Sequence, residues 1–480
     1  INEKSFDSDR KMMTTVHQGS SGKLLSYTKG AMDRIIGECD KIIIDGNIRP
    51  ITDTDKENIE ATAKEMASLA LRVLALAVKF DDDSAEEKHL IFTGLVGMID
   101  PPRPEAEAAV EIFKGAGVTT VMITGDHIDT AFAIAKELGI ADRQEQCITG
   151  TALNQMTQKD LNAAVPGLRV FARVSPENKV MIVNAFKSHG HIVSMTGDGV
   201  NDAPSLKTAD IGVAMGITGT DVAKGAADMV LTDDNFATIE KAIEEGRNIY
   251  NNIKKSVLFL LSSNLGEIIT MFAAIVAGFA SPLKAIHILW VNLITDSLPG
   301  LALGVDSGDP DIMKTSPRNP KESLFANGSL AIILFFGFVI GVITLTAFLF
   351  TPVNALMEAE QSVTLANLKL ILLDEGIYIQ SQTYAFTVLA VSQLFNAIGM
   401  RNLNRSIFCF NHLENRIMVI AFLAGILLQV AVTEIPILTD MFGTMELSLM
   451  EWLKLVALST APLWFHELFV LIKYIKKKAA

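Results

Sequence analysis

Thr196-Gly-Asp-Gly-Val-Asn-Asp-Ala-Pro204 is the stretch on which the reading of this chain turns. Asp198, Asn201 and Asp202 recur within five positions among glycines, directly behind a β-rich run at 192–195. In parallel sheets, ligands gather at the carboxyl ends of the strands. Small residues there let backbone N–H groups approach an anion, while carboxylate and amide oxygens suit a hard cation. Two further strand ends carry the same kind of residue. Thr124-Gly125-Asp126 follows the run 119–123, and Asp100-Pro-Pro-Arg103 follows 91–99.

Working outward, short β-rich runs at 91–99, 119–123, 170–174, 192–195, 211–214 and 229–231 alternate with helical patterns. That alternation predicts an α/β domain with a parallel sheet built from βα units. The two Thr-Gly-Asp turns are expected at adjacent strand ends. A hydroxyl, a Lys charge and a magnesium ion are the groups needed to stabilise a phosphoryl transition state.

Met122-Ile-Thr-Gly-Asp126, Thr196-Gly-Asp-Gly-Val-Asn-Asp-Ala-Pro204 and Pro176-Glu-Asn-Lys179 together resemble the phosphorylation-domain motifs of P-type ATPases. The resemblance implies a haloacid-dehalogenase-like domain. In it Thr124, Gly125, Asp126 and Lys179 would serve the transferred phosphoryl, Asp198 would coordinate Mg2+, and Asn201 and Asp202 would complete that site. It further implies that residues 1–90 are the second part of a nucleotide-binding domain. Phe6, Lys11, Lys29 and Arg72 fall where the family stacks adenine and neutralises phosphates; Asp100 and Arg173, at strand ends, are further candidate cofactor-binding residues, and Arg173 reads equally as a solvated strand-end charge. Where the family has a serine after this Phe, the chain has Asp7.

The second half is of another kind. Of the 480 residues 49% are hydrophobic, and nearly all long apolar runs lie in 256–472. Six windows, near 256–279, 285–304, 329–350, 384–400, 416–434 and 452–472, are long enough to cross a bilayer core of about 30 Å as helices. The fourth is the shortest. Lys and Arg collect before the first span, between the second and third, between the fourth and fifth, and after the sixth. This places those segments, the soluble region and the C-terminus on the cytoplasmic side.

Polar side chains in a span are costly and mark function. Asn264 and Glu267 stand three apart, Asn292, Thr295 and Asp296 share one face, and Gln393 and Asn396 repeat the spacing. Oxygen donors without Cys or His describe a hard-cation site. Pro299 and Gly300 are expected to weaken their helix and free backbone carbonyls. Ser-Ser-Asn264-Leu-Gly-Glu267 and Leu-Trp-Val-Asn292-Leu-Ile-Thr295-Asp296 resemble the endoplasmic-reticulum-type calcium-transporting members of the family. Gln393 stands where those pumps place a glutamate, which bears on the number of Ca2+ ions.

The net charge of −13 argues against nucleic acid as a partner, and Cys39, Cys147 and Cys409 show neither paired nor metal-ligand spacing. The reading is therefore a multidomain α/β plus all-α membrane protein: 1–90 nucleotide-binding, 91–250 phosphorylation, 251–480 membrane. The implied activity is ATP-driven Ca2+ transport. The same machine moving Mn2+ or another cation stays open, as does a membrane-anchored phosphatase or regulatory protein whose polar span residues only bond helix to helix. The family's Asp-Lys-Thr-Gly-Thr segment does not occur in the chain, which opens at Ile1 without an initiator methionine. It reads as a C-terminal half, expected to be inactive alone and to need the N-terminal half of the same ATPase.

Overall fold

The computed structural model describes every residue except 1, 8–9, 20–21, 69–70, 82, 84, 100, 410 and 480. The chain divides into two compact units, Ile1–Ala242 with Met313–Pro320, and Ile243–Ile312 with Lys321–Ala480.

The first unit opens with β1 (Asn2–Asp7), β2 (Met12–Gln18), β3 (Leu24–Gly30), β4 (Cys39–Ile44), β5 (Asn47–Pro50), β6 (Leu71–Phe80) and β7 (Leu90–Ile99). Among the described residues these form one seven-stranded sheet, ordered β1-β2-β3-β6-β7-β4-β5. Side chains alternate across a strand, so Met12, Thr14 and Val16 are buried while Met13 and Thr15 face the other way. The helices Met32–Gly37 and Asp53–Ser68 supply Ile35, Ile36 and Ile59 to a core with Ala75, Ala77, Leu90 and Phe92.

One expectation is corrected here. The run 91–99 does not open the parallel sheet; it pairs antiparallel with β6 from Leu71↔Ile99 to Val78↔Ile91, and parallel with β4. β6 and β7 are ten-residue apolar strands in sequence. Pairing them buries Ala75 and Ala77 with Leu90 and Phe92, a gain that composition of the single run does not reveal.

β8 (Met122–Thr124), β9 (Cys147–Thr149), β10 (Val170–Ala172), β11 (Ser194–Gly197), β12 (Ile211–Met215) and β13 (Met229–Leu231) follow, interleaved with helices. All their pairings are parallel. Among the described residues they make two three-stranded sheets, β8-β10-β9 and β11-β12-β13. The two Thr-Gly-Asp turns thus end edge strands of separate sheets, not adjacent strands of one. Packing rather than a backbone ladder links them, because Ile123 touches the cores of both layers. The helix Pro176–Ser188 starts at a capping box between Ser175 and Asn178 with Pro176 at its first position.

Six helices among the described residues are long and apolar enough to cross a membrane, and from residue 243 on they lie in the second unit: Ala237–Ala277, Ala285–Gly304, Ser329–Glu358, Glu375–Met400, Arg416–Glu434 and Leu449–Lys476. The count agrees with the sequence reading, but three starts differ, the sixth by only three residues. The first helix begins well before the apolar window because the charged stretch before it consists largely of good helix formers. The fourth begins at Glu375, and 89% of its apolar window is buried. Its first turns carry polar residues that bond inside the bundle, Gln382 donating to the Ser281 carbonyl at 2.9 Å. Hydropathy therefore understates its length.

The second span is interrupted one turn earlier than its proline suggests. Val291–Thr295 is a π-turn in which the Asp296 N–H reaches the Val291 carbonyl at 2.9 Å. Pro299 lies in the first turn of the helix Ser297–Gly304, where a missing N–H costs nothing. Single π-turns inside helices concentrate at functional sites.

Candidate catalytic and cation sites

β11 ends at Gly197, and the chain then bends sharply through the short turn Val200–Asp202. Asp202 is buried and organises this bend. Its Oδ2 accepts the N–H groups of Asp198 (3.2 Å) and Gly199 (3.1 Å), while Oδ1 pairs with the Lys179 ammonium. A Cβ on residue 197 would lie 2.5 Å from the Asp202 Cβ, so the bend requires glycine there. With Asp202 turned inward, Asp198 and Asn201 are left exposed to offer oxygens outward. That donor set fits magnesium, which accepts one or two carboxylates and completes its shell from water and substrate.

Asp234, which the sequence reading passed over, supports the same bend from behind. Its buried carboxylate accepts from Ile217 N (2.8 Å), Thr218 N (2.7 Å) and Thr218 Oγ1 (2.7 Å). These bonds, led by the Ile217 N–H, hold its carboxyl down at about 2. The loop it fixes delivers the Thr220 N–H to the Asp198 carbonyl at 2.8 Å, and Arg103 donates to the Asp234 carbonyl at 2.6 Å. Its signal was the acidic pair Asp233-Asp234 just after β13.

At the end of β8 the Thr124 hydroxyl donates to Asp126 Oδ2 (2.9 Å) and accepts from the Asp126 N–H (3.1 Å), closing a small turn around exposed Gly125. Arg173 follows β10 at φ 52° and reaches Asp33 at 3.4 Å. It does not join the phosphate turns but stands near Lys11, whose ammonium is pushed down by burial and by the Arg173 charge. Asp100 lies outside the described residues.

The proposed nucleotide residues share a surface. Cross-strand partners lie on one face, and the pairs Asp7↔Met12, Met13↔Lys29 and Lys29↔Leu76 put Phe6, Lys29 and Arg72 on the face opposite the core. Phe6 is 63% exposed, and a hollow of about 390 Å³ lined by Met13, Tyr27, Lys29, Leu76 and Val78 opens on the same side. Lys11 sits on the β1–β2 turn at φ 56°. Glu87 clamps that turn by pairing with Arg10 and, at 3.1 Å, with Lys4.

In the membrane unit, Asp296 is 1% exposed and neither carboxylate oxygen has a hydrogen-bond partner among the described residues. The same holds for Oε1 of Glu267 and for both amide atoms of Gln393. Asp296 and Gln393 both lie within electrostatic reach of Glu267. Asn292 spans two helices, donating to Glu267 Oε2 at 3.3 Å, while Thr295 is buried beside Asp296 and Asn264 lies one turn before Glu267. Asn396 differs: it donates to Ser262 at 3.1 Å and so serves helix contact. Buried polar groups are ordinarily paired. Oxygens left unpaired together on three helices are what a desolvated cation requires. Among the described residues no group of three His, Cys, Asp or Glu side chains could hold a metal, so a cation bound here would need amide and hydroxyl oxygens as well.

A family model for the C-terminus of cation transporting ATPases matches residues 280–472, and one for the cytoplasmic domain N of P-type ATPases matches residues 1–105. The chain is 53% identical over 479 residues to calcium-transporting ATPase 1 of Bacillus cereus, covering 98% of this chain and 53% of that protein. It is 43% identical over 468 residues to a calcium-transporting ATPase of Bacillus subtilis, covering 96% and 50%. With the human calcium-transporting ATPase type 2C member 1 it shares 36% over 479 residues, covering 99% and 49%. The chain spans about half the length of the curated relatives it matches.

Proposed function

The chain belongs to the cation-transporting P-type ATPases, and from that premise we propose that it forms part of an ATP-driven pump moving Ca2+ out of the cytoplasm. The pump works through an aspartyl-phosphate whose aspartate lies in the preceding half of the same ATPase, its partner. Residues 1–90 with β7 contribute to ATP binding, the β8–β13 layers to phosphoryl transfer, and the spans to ion translocation, with the soluble unit and the Lys-rich helix end facing the cytoplasm.

In this reading Phe6 stacks on the base, while Lys11, Lys29 and Arg72 neutralise phosphates. Lys179, kept in place by Asp202, brings positive charge to the phosphoryl, and the Thr124 hydroxyl, turning from Asp126, donates to one of its oxygens. Asp198 and Asn201 hold magnesium, which supplies charge against the developing transition state. Asn264, Glu267, Asn292, Thr295, Asp296 and Gln393 take the calcium. The carboxylates supply most of the attraction, and the neutral amide of Gln393 favours one tightly held ion over two.

The observation that carries this reading is the set of unpaired buried oxygens on Glu267, Asp296 and Gln393. The test is phosphorylation of the full-length ATPase by ATP. A hydroxylamine-labile phosphoenzyme that forms only with Ca2+ supports the reading; labelling indifferent to Ca2+, or driven by Mn2+ alone, sinks it.

A further inference from the structure

The three spans that carry the candidate cation oxygens are tied together at a second place, away from those oxygens. Asp306 follows the helix Ser297–Gly304, and its side chain is only 4% exposed. Its Oδ1 accepts from Arg401 Nε (3.0 Å), Arg401 Nη2 (2.8 Å) and Asn415 Nδ2 (2.9 Å). Its Oδ2 faces the Lys255 ammonium at 3.5 Å. Lys255 also donates to Asn252 at 3.2 Å, and Asn252 donates to the Asp306 carbonyl at 2.8 Å. Asn415 further donates to the Ala302 carbonyl at 2.8 Å and caps the helix Arg416–Glu434.

The cluster joins all three ligand-bearing spans, with Asn415, the cap of the helix Arg416–Glu434, as a further member. Lys255 belongs to the helix of Asn264 and Glu267, Asp306 to the segment leading from Asn292, Thr295 and Asp296, and Arg401 ends the helix of Gln393. Among the described residues, the spans Ser329–Glu358 and Leu449–Lys476 donate nothing to Asp306. Lys255 is twelve residues from Glu267, Asp306 ten from Asp296, and Arg401 eight from Gln393. At about 1.5 Å rise per residue the cluster therefore lies roughly 12–18 Å along each helix from the site.

A buried carboxylate facing two cations is poor evidence for stability, because desolvation offsets the attraction and apolar residues can replace such pairs. Its best-attested use is in fixing register, since each charge tolerates only one arrangement. A one-residue slip of any of the three helices moves its charge about 1.5 Å along the axis and leaves a partner unpaired. Cation ligands need the same constraint, because oxygens on three separate helices bind an ion only at one relative height.

We propose that the Asp306–Arg401–Lys255 cluster is a positioning element for the cation site, fixing the axial register of the three ligand-bearing helices so that Glu267, Asp296 and Gln393 converge. This rests on the calcium reading above. Asp306 touches no ion; it acts through the helices.

The experiment measures, in the full-length ATPase in lipid, the Ca2+ concentration giving half-maximal phosphoenzyme from ATP, beside the Kd for nucleotide. Asp306→Asn should raise the half-maximal Ca2+ by about tenfold or more, the size seen when groups supporting metal ligands are removed, with nucleotide Kd unchanged. Arg401→Met should do the same, and Asp306→Asn/Arg401→Met together no worse than either alone. An unaltered half-maximal Ca2+ in Asp306→Asn protein that binds nucleotide normally overturns the proposal. If Asp306→Asn does not fold, the variant D306L/K255M/R401M leaves no buried charge unpaired: weakened Ca2+ response there supports the proposal, and an unchanged one refutes it. Wild-type protein without Ca2+-dependent labelling would overturn the parent reading, and this inference with it.

Discussion

Asn292 Nδ2 lies 3.3 Å from Glu267 Oε2 and 3.0 Å from the Ile288 carbonyl. An amide of the second span thereby orients a carboxylate of the first, leaving the other oxygen of Glu267 without a partner among the described residues. Asn292 stands in the π-turn Val291–Thr295.

Asp296 contributes two buried, unpaired oxygens to the same place. Asp296→Asn removes a charge while keeping the shape, so Ca2+-dependent labelling of the full-length protein from ATP should be abolished. Nucleotide Kd should stay at its wild-type value, since no nucleotide residue is touched. Labelling that keeps its Ca2+ dependence in this variant means the cation site is placed on the wrong residues.

Gly197 tests the phosphoryl bend. An added Cβ would lie 2.5 Å from Asp202 Cβ and 2.9 Å from its Oδ2, so the neighbour to be displaced is the side chain that organises Asp198 and Gly199. Gly197→Ala should cost about 1–3 kcal/mol, as overpacking commonly does, and should raise the Mg2+ needed for half-maximal phosphorylation. Thermal unfolding and a Mg2+ titration read the two effects separately. A variant with normal Mg2+ response shows that the bend does not set the metal site.

Asp234 gives a pH signature. Its carboxyl is held at about 2 in the folded protein, against about 3.9 for an unstrained aspartate. A depressed folded value stabilises the fold above the unfolded value, and this contribution is lost as pH falls from about 4 through about 2. Denaturant midpoints of wild type and Asp234→Asn should therefore differ most at neutral pH and converge over that acid window. A difference that is the same at both ends would show that the effect is not the ionised carboxylate.

The residues themselves determined much of this. Oxygen-bearing side chains behind β-rich runs, and carboxylates in otherwise apolar windows, are legible because each is locally anomalous: Asp198 and Asn201 between glycines, Glu267 and Asp296 in hydrocarbon. Six apolar windows and an α/β region before them follow from periodicity and length alone. Only the tertiary structure decided where β7 pairs, since a strand's partner depends on what it buries rather than on its own composition. It also turned Asp202 inward while Asp198 faces out, although both are aspartates of one motif. The roles of Asp234, marked only by the acidic pair it forms with Asp233, and of Asp306 were hidden for the same reason: each works through partners elsewhere in the sequence, Ile217 and Thr218 for one, Lys255, Arg401 and Asn415 for the other. A charge on a chain announces that it must be paired, but folding alone selects with what.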